Sequence, residues 1–208
     1  MSKRFALLAL AGLLSFGLAS CGSEPQQEQK AAAAPAPETK KEEPPAPTYD
    51  ITKESLTDHQ DWTSKNVSIL GAKLGDTTNN VVKNFGAMDN TRTLPAMGTE
   101  PAEYLTIYQG NGLFVYTQQA NGKLRKFEIY GPFAKELKDE KLKKLLTTGD
   151  LKTMHDVLGQ EEKVEENSDT GDPATEYVYD ARGIRFVKYK AKGQTVNAIR
   201  FSDFKKAS

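Results

Sequence analysis

A pattern that occurs twice along the chain is the basis of the fold that we predict. Residues 74–86 and 148–159 each contain Gly-Asp, then a short run with apolar residues on one helical face, then a closing Gly. Asp or Thr before a helix and Gly after it are typical helix boundaries. Downstream of both runs, alternating apolar segments flank a turn, Asn121-Gly122 in one case and Lys192-Gly193 in the other, and Asn-Gly is a strong hairpin signal. The sequence therefore predicts an internal duplication.

Each copy is predicted to form helices followed by antiparallel strands. The expected fold class is α+β, with two tandem helix-helix-antiparallel-sheet repeats and the helices on one face of the sheet. The predicted repeats span residues 48–131 and 132–208. Predicted helices cover about residues 52–60, 78–85, 134–146 and 150–158. Predicted strands cover residues 67–70, 103–108, 113–118, 124–130, 175–180, 184–190 and 196–204.

The N-terminus carries an export signal. Lys3 and Arg4 precede an apolar run at residues 5–18 that is too short to span a bilayer, and Ala19-Ser20 forms a small-residue exit. This arrangement is typical of a signal peptide over residues 1–20. Cys21, the single cysteine, follows directly, and residues 18–21 closely resemble the lipobox of bacterial lipoproteins, whose cysteine is acylated with fatty acids such as palmitate. The alternative is an ordinary signal peptide with a chance cysteine.

We therefore predict a lipid-anchored protein of the cell envelope, in the outer membrane if the organism is Gram-negative. Residues 21–47 are predicted to be the lipidated cysteine and a disordered tether rich in Pro, Ala and Glu. After Cys21 this segment has no aromatic residue and Thr39 as its only β-branched residue, so it cannot bury enough apolar surface to fold. A Pro-rich ligand for a partner is the alternative reading of this segment. With Cys21 acylated, the fold has no disulfide.

Short motifs in both copies resemble known families. The Gly-Asp-Thr helix start, the Tyr-Val-Tyr strand at residues 177–179 and the Gly-Lys-Leu-Arg-Lys-Phe strand at residues 122–127 resemble the unit shared by the β-lactamase inhibitor proteins. They are also similar to small lipoproteins of the outer-membrane assembly machinery (the SmpA/OmlA type). The similarity covers about residues 68–204. It implies a helix pair on a four-stranded sheet, with the open sheet face available to a partner protein. Unlike the secreted inhibitors, this chain has no Cys pair in either copy.

No catalytic motif is present in the sequence. There is no Gly-x-Ser-x-Gly, His-Glu-x-x-His or Walker lysine pattern, so we predict no catalytic residue, no cofactor and no enzyme activity. Lys and Arg number 28, as do Asp and Glu, which gives no indication of a nucleic-acid partner. His59 and His155 are single histidines on predicted helices. Residues 165–172 cluster oxygen donors, but they lack EF-hand spacing, so a solvated loop is favoured over a calcium site and no metal is predicted.

Alternation along the strands divides the predicted sheet into two faces. The face beneath the helices is predicted to hold Leu105, Ile107, Leu113, Val115, Phe127, Ile129, Val178, Ile184, Phe186, Ile199 and Phe201. The opposite face is predicted to bind protein through Tyr104, Tyr108, Phe114, Tyr116, Tyr130, Tyr177, Tyr179, Arg185, Tyr189 and Arg200. Tyr and Arg dominate interface hot spots, although Tyr also favours strands for intrinsic reasons.

These patterns predict a membrane-anchored, non-enzymatic envelope lipoprotein. It would bind another envelope protein through the aromatic open sheet face, in a scaffold, assembly or inhibitor-like role. The alternative function is an envelope small-molecule binder or enzyme that uses a cleft between the two repeats. A deep pocket with convergent carboxylates would favour that alternative.

Overall fold

The computed structural model describes residues 47–167 and 173–203. The predicted signal peptide, Cys21 and nearly all of the predicted tether therefore lie outside the described residues, as do residues 168–172 of the oxygen-donor loop. None of the helices in the described ranges has the length and hydropathy that spanning a bilayer requires.

Two sheets form the described part of the chain. The smaller sheet has three short strands, β1 (Tyr49–Asp50), β2 (Val67–Ile69) and β3 (Ala72–Lys73). The larger sheet has eight strands, which are β4 (Asn90–Leu94), β5 (Glu103–Tyr108), β6 (Leu113–Gln118), β7 (Leu124–Tyr130), β8 (Lys163–Asn167), β9 (Ala174–Tyr179), β10 (Ile184–Ala191) and β11 (Gln194–Ser202). Its order in space is β4-β5-β6-β7-β11-β10-β9-β8, and neighbouring strands are antiparallel throughout.

Helices in the described ranges are few and short. The α-helices are α1 (Thr78–Phe85), α2 (Glu140–Thr148) and α3 (Leu151–Leu158). The 3-10 turns lie at Leu56–Asp58, Gln109–Asn111, Gly131–Glu136 and Asp180–Arg182.

The predicted fold class, α+β with two tandem helix-helix-antiparallel-sheet repeats, is wrong. The described chain is mostly β, and the strands of both predicted repeats pair into one antiparallel sheet. Phe127 of β7 pairs with Phe201 of β11, and Ile129 pairs with Ile199, so neither strand is an edge. Two separate sheets would leave two more edges with unpaired backbone groups, which favours the joined sheet. The repeat boundaries at 48–131 and 132–208 stay a prediction.

The predicted helix pairs are also wrong. Residues 52–60 contain only the 3-10 turn at Leu56–Asp58. Residues 134–146 divide between the 3-10 turn at Gly131–Glu136 and α2. The first part of the chain therefore contributes a single α-helix, α1, to the packing against the larger sheet.

Buried Asp139 explains why both segments depart from a continuous helix. Its carboxylate caps α2 by accepting from the backbone N–H groups of Lys141 and Leu142 at 2.9 and 3.1 Å. It also accepts from the backbone N–H of Thr57 at 2.7 Å and from the hydroxyl of Ser55 at 2.9 Å. One side chain thus begins α2 and holds the earlier segment as a turn, since an N-cap carboxylate satisfies donors that lack a partner within the helix.

Other predicted elements are confirmed. The segments α1, β5, β6 and β7 have the predicted bounds, and α3, β9, β10 and β11 begin and end within two residues of theirs. Strands β4 and β8 were not predicted. Their side chains are mostly polar and exposed, so they lack the apolar alternation that indicates a half-buried strand.

The α-helices pack on one face of the larger sheet, which we name the covered face. Its central residues are Leu113, Phe127, Ile129, Phe186, Ile199 and Phe201, each at most 1% exposed. The ring of Phe85 in α1 lies 6.4 Å from that of Phe127. The amide of Asn197 donates to the carbonyl oxygen of Leu146 in α2 at 3.2 Å. This face is the main apolar core, since its side chains interlock with the helices.

Candidate binding face

The opposite face of the larger sheet, which we name the open face, carries charged and aromatic side chains. By strand register its charged and aromatic residues include Glu103, Phe114, Tyr116, Lys126, Glu128, Tyr130, Glu176, Arg185, Tyr189 and Arg200. The helix contacts described above fall on the covered face. Within the described ranges, the open face is therefore built from strand side chains.

The register brings part of the predicted protein-binding set together. The predicted residues on the open face are Phe114, Tyr116, Tyr130, Arg185, Tyr189 and Arg200. Phe114 pairs with Glu128, Glu128 with Arg200, and Arg200 with Arg185, so these side chains form one row across β6, β7, β11 and β10. Whether this row binds a protein stays a prediction.

The remaining predicted residues, Tyr104, Tyr108, Tyr177 and Tyr179, lie on the covered face, and their predicted orientation is wrong. Tyr108 pairs with Leu113, and Tyr177 pairs with Phe186. Tyr108 and Tyr179 are only 2% and 3% exposed. The hydroxyl of Tyr179 donates to the carbonyl oxygen of Gly159 after α3 at 3.2 Å.

The error follows from strands that are apolar on both sides. In β5, Leu105 and Ile107 were predicted to face the helices, but they pair with Tyr116 and Phe114 on the open face. In β9, Val178 pairs with Arg185 on the open face as well. Alternation shows that successive residues point to opposite faces, but where both sets are apolar or aromatic it does not show which face is covered.

Glu128 is the centre of a hydrogen-bonded network on the open face. Its side chain is fully buried at 0% exposure. It accepts from the hydroxyls of Tyr116 and Tyr189 at 3.1 and 2.5 Å, and from Nη2 of Arg200 at 3.2 Å. Nη2 of Arg200 also donates to the hydroxyl oxygen of Tyr189 at 2.8 Å. A carboxylate with three donors is satisfied in the way that a buried charge requires.

The network continues from Arg200 toward the β8 edge. Nη1 of Arg200 and Nη1 of Arg185 donate to the two carboxylate oxygens of Glu176 at 3.1 and 2.6 Å. Arg185 also pairs with Glu165 at 3.2 Å. Glu176 is 2% exposed. The ion pairs therefore run without a break from β7 to β8.

A second pair extends the network at the β5 end. Nζ of Lys126 lies 2.8 Å from the carboxylate of Glu103 and 4.7 Å from the ring centroid of Tyr116. A cation over an aromatic face adds attraction beyond the ion pair. Cations and carboxylates therefore alternate across most of the open face.

Burial and neighbouring charges shift the pKa values of four side chains on the open face. Burial, together with the nearby charge of Glu128, raises the pKa values of Tyr116 and Tyr130 above their ordinary range. Burial by itself would raise the pKa of Glu176, but the charges and hydrogen bonds of Arg200 and Arg185 outweigh it and lower that pKa. Burial would likewise lower the pKa of Arg200, yet Glu128 and its neighbours raise it well above its ordinary value. For Tyr116, Tyr130, Glu176 and Arg200, each of these shifts moves the pKa further from neutrality.

An aromatic strip lies beside the network. The ring centroids of Phe114 and Tyr130 are 4.6 Å apart, and those of Tyr130 and Tyr189 are 6.1 Å apart in a stacked arrangement. All three side chains are partly exposed. Together the three rings provide apolar surface beside the network. The hydroxyl of Tyr189 also joins the network by donating to Glu128.

Sequence reasoning missed Glu128 and Glu176, the acids that organise this face. Glu128 stands between Phe127 and Ile129, which were both predicted to lie in the core. A carboxylate within an otherwise apolar strand was the available signal, because such a group is rarely buried unless it is paired.

The two histidines of the sequence, His59 and His155, do not belong to the open face. His59 stacks on Tyr49 at 4.2 Å and lies 3.3 Å from Glu54, and His155 lies 2.8 Å from Glu161. Within the described ranges, no group of His, Cys, Asp and Glu side chains could hold a metal ion.

Comparisons with known proteins give little further information. No protein-family model matches the chain, and no curated protein matches it. A weak structural neighbour is the crystal structure of a DUF4309 family protein (YjgB) from Bacillus subtilis subsp. subtilis strain 168. It has 16% sequence identity and a TM-score of 0.42, and the match covers 65% of this chain and 84% of that one. We draw no conclusion about family or function from a likeness at this level.

Proposed function

We propose that this chain is a membrane-anchored, non-enzymatic envelope lipoprotein that binds another protein through the open face. The observation that supports the proposal is the aromatic strip of Phe114, Tyr130 and Tyr189 beside a network of mutually paired charges. Interface hot spots are enriched in Tyr and Arg and lie in well-packed, desolvated surroundings. The open face already has that composition at its centre.

The paired charges make this face suitable for burial under a partner. Arg200, Arg185 and Lys126 are each matched by a carboxylate. A partner that covers them therefore does not strand an unpaired charge, which is the costly case. The aromatic side chains are also held in place before binding, and preorganised side chains lose less conformational entropy on association.

The membrane part of the proposal rests on the sequence. The lipobox-like residues 18–21, and the resemblance to small envelope lipoproteins, support lipidation at Cys21. We expect Cys21→Ser to move the full-length protein from the membrane pellet to the soluble or uncleaved pool. Unchanged fractionation of that variant, with the same dependence on detergent, would contradict lipidation.

Site-directed cross-linking in native membranes tests the binding face. The full-length protein carries a photo-crosslinking amino acid at Gln118, a half-buried position on the open-face side of β6. The adduct formed by the native face is compared with that of the double variant Phe114→Ser, Tyr130→Ser. We expect the double variant to reduce adduct formation at least about tenfold, because hot-spot truncations typically cost about 2 kcal/mol or more.

Tyr104→Ser is the matched control. Tyr104 is a strand tyrosine on the neighbouring strand, is 43% exposed, and lies on the covered-face side. It should leave the adduct unchanged. Circular dichroism on all variants establishes that they fold. An adduct that survives in the folded double variant, or that disappears equally in the control, would contradict the open face as the binding surface.

A further inference from the structure

A cavity lies on the covered side of the protein, away from the open face. Its volume is about 280 Å³, and its walls include Thr57, His59, Trp62, Lys141, Asp156 and Arg182. Residues 57–62 contribute one wall, and α2, the end of α3 and the turn at Asp180–Arg182 contribute the others. This size is near the lower end for ligand pockets and suits a small molecule.

Arg182, in the wall of this cavity, is a partly buried cation that forms no ion pair with a carboxylate of the described residues. Nε donates to the carbonyl oxygen of Trp62 at 3.1 Å, and Nη1 donates to that of Leu158 at 3.2 Å. The guanidinium also lies 3.9 Å above the ring of Trp62. Its backbone carbonyl accepts from the N–H of Ser64 at 2.8 Å. Across the described ranges, its guanidinium has no carboxylate within ion-pair distance.

The other partly buried arginines differ in this respect. Arg125, Arg185 and Arg200 each pair with a carboxylate at 3.3 Å or closer. Burial lowers the pKa of Arg182 and outweighs the opposing effect of Tyr179. Removing a charged group from water costs free energy that a counter-ion would offset. Arg182 has no carboxylate in the place where the other partly buried arginines have one.

The remaining charges of the cavity also favour an anion. Lys141 is exposed and, within the part of the chain that is described, has no carboxylate within ion-pair distance, while its charge acts at longer range on Asp156. Asp156 is the carboxylate of the cavity wall, and Lys152 engages it at 2.7 Å. Among the described residues, Lys141 and Arg182 are therefore the lysine and arginine of this wall that have no carboxylate within ion-pair distance.

We infer that this cavity binds a small oxyanion, a carboxylate or a phosphate, between Arg182 and Lys141. The N–H groups of Arg182 that the two carbonyl oxygens do not use can donate to two oxygen atoms of a planar carboxylate or of a tetrahedral phosphate. Lys141 supplies a second point charge at the mouth. This site is independent of the open face, and the two can fail separately.

Trp62 gives a direct readout because it is the single tryptophan of the chain and lines the cavity. Full-length protein in detergent is titrated with sodium succinate and, separately, with sodium phosphate. Sodium chloride at equal ionic strength is the reference. We expect a saturable change in Trp62 emission with one or both probes and none with chloride. A response to succinate alone identifies a carboxylate site, and a response to phosphate alone identifies a phosphate site.

Variants locate the response. Lys141→Ala should weaken binding about tenfold, which corresponds to the loss of one charge-assisted contact. Lys144→Ala, an exposed lysine on the same helix that does not line the cavity, should change the affinity less than about twofold. Arg182→Gln should abolish the saturable response; if that variant does not fold, Lys141→Ala decides.

Two results would overturn the inference. One is the absence of any saturable change beyond that of chloride with both probes. The other is equal affinity in the native protein and in Lys141→Ala.

Discussion

The two faces of the larger sheet are built from the same strands but hold together by different chemistry. In β7, Phe127 and Ile129 lie on the covered face and Glu128 lies between them on the open face, and all three are 0% exposed. The covered side chains are buried by helices. Glu128 is buried by strand neighbours, the tyrosines and Arg200 that bond to it. Burial on this sheet therefore does not by itself indicate an apolar core.

The difference has energetic consequences. Burying one large apolar side chain contributes about 1.5–3 kcal/mol, whereas a buried ion pair roughly balances its desolvation cost. We therefore expect the covered face to supply most of the stability. The ion pairs of the open face mainly fix the positions of its side chains. Removing one member of a pair is the substitution that we expect to lower the free energy of unfolding most on this face.

The largest effect should come from the covered face. Phe127→Ala should lower the free energy of unfolding by about 3–5 kcal/mol, because it leaves a cavity under the helices. Phe114→Ala is the matched change on the partly exposed open face and should cost clearly less. Urea unfolding followed by circular dichroism measures both. Equal losses would remove the distinction between the faces.

A smaller loss should follow from breaking the open-face network at its centre. Glu128→Gln keeps the size of the side chain but removes the charge that faces Arg200, and we expect it to cost about 2–3 kcal/mol. Glu165→Gln changes a 39% exposed member at the β8 edge and should cost at most about 1 kcal/mol. The same unfolding measurement applies. If Glu128→Gln left the free energy of unfolding unchanged, the network would contribute no more to stability than solvated surface charges do.

A weaker, pH-dependent effect is expected at Glu176. Its folded pKa is lowered below the ordinary 4.5, against the effect of burial, by Arg200 and Arg185. Its stabilisation is therefore fully present above that ordinary pKa and is lost as the pH falls through the lowered one. Native protein and Glu176→Gln should differ in unfolding midpoint at neutral pH, and the difference should shrink as the pH falls through the lowered folded pKa. A constant difference between the two across that range would contradict the assigned ion pairs.

The smallest effect should be at Tyr104, the exposed tyrosine on the covered-face side. Tyr104→Ser should change the free energy of unfolding by less than about 0.5 kcal/mol, as exposed substitutions usually do. Thermal melting beside the native protein is sufficient to detect a departure. A loss comparable with that of Phe127→Ala would show that the core extends to the β5 end of this face.

Much of the local structure could be predicted from the sequence. The alternation in β6 and β10 correctly separates Val115 from Tyr116 and Phe186 from Arg185, because the first two covered positions of each strand are aliphatic or Phe. The same rule failed in β5 and β9, where Tyr108 and Tyr179 are apolar enough to be buried and polar enough to be predicted outside. The candidate site was accordingly predicted only in part.

The sequence by itself determined the short-range features of this protein. Local turn chemistry and alternation set the bounds of α1, β5, β6 and β7, and the lipobox-like residues 18–21 set the prediction of an anchor. These features depend on neighbours within a few positions, so no distant contact was needed to infer them.

Only the tertiary structure decided how those elements combine. The pairing of β7 with β11 made one sheet of two predicted ones, and it brought Glu128 to Arg200, 72 positions apart. The contact of Asp139 with Thr57, 82 positions apart, turned a predicted helix into a 3-10 turn. Unpaired edges and buried charges must be satisfied by whichever partner the packing brings close, and that partner is not marked in the local sequence.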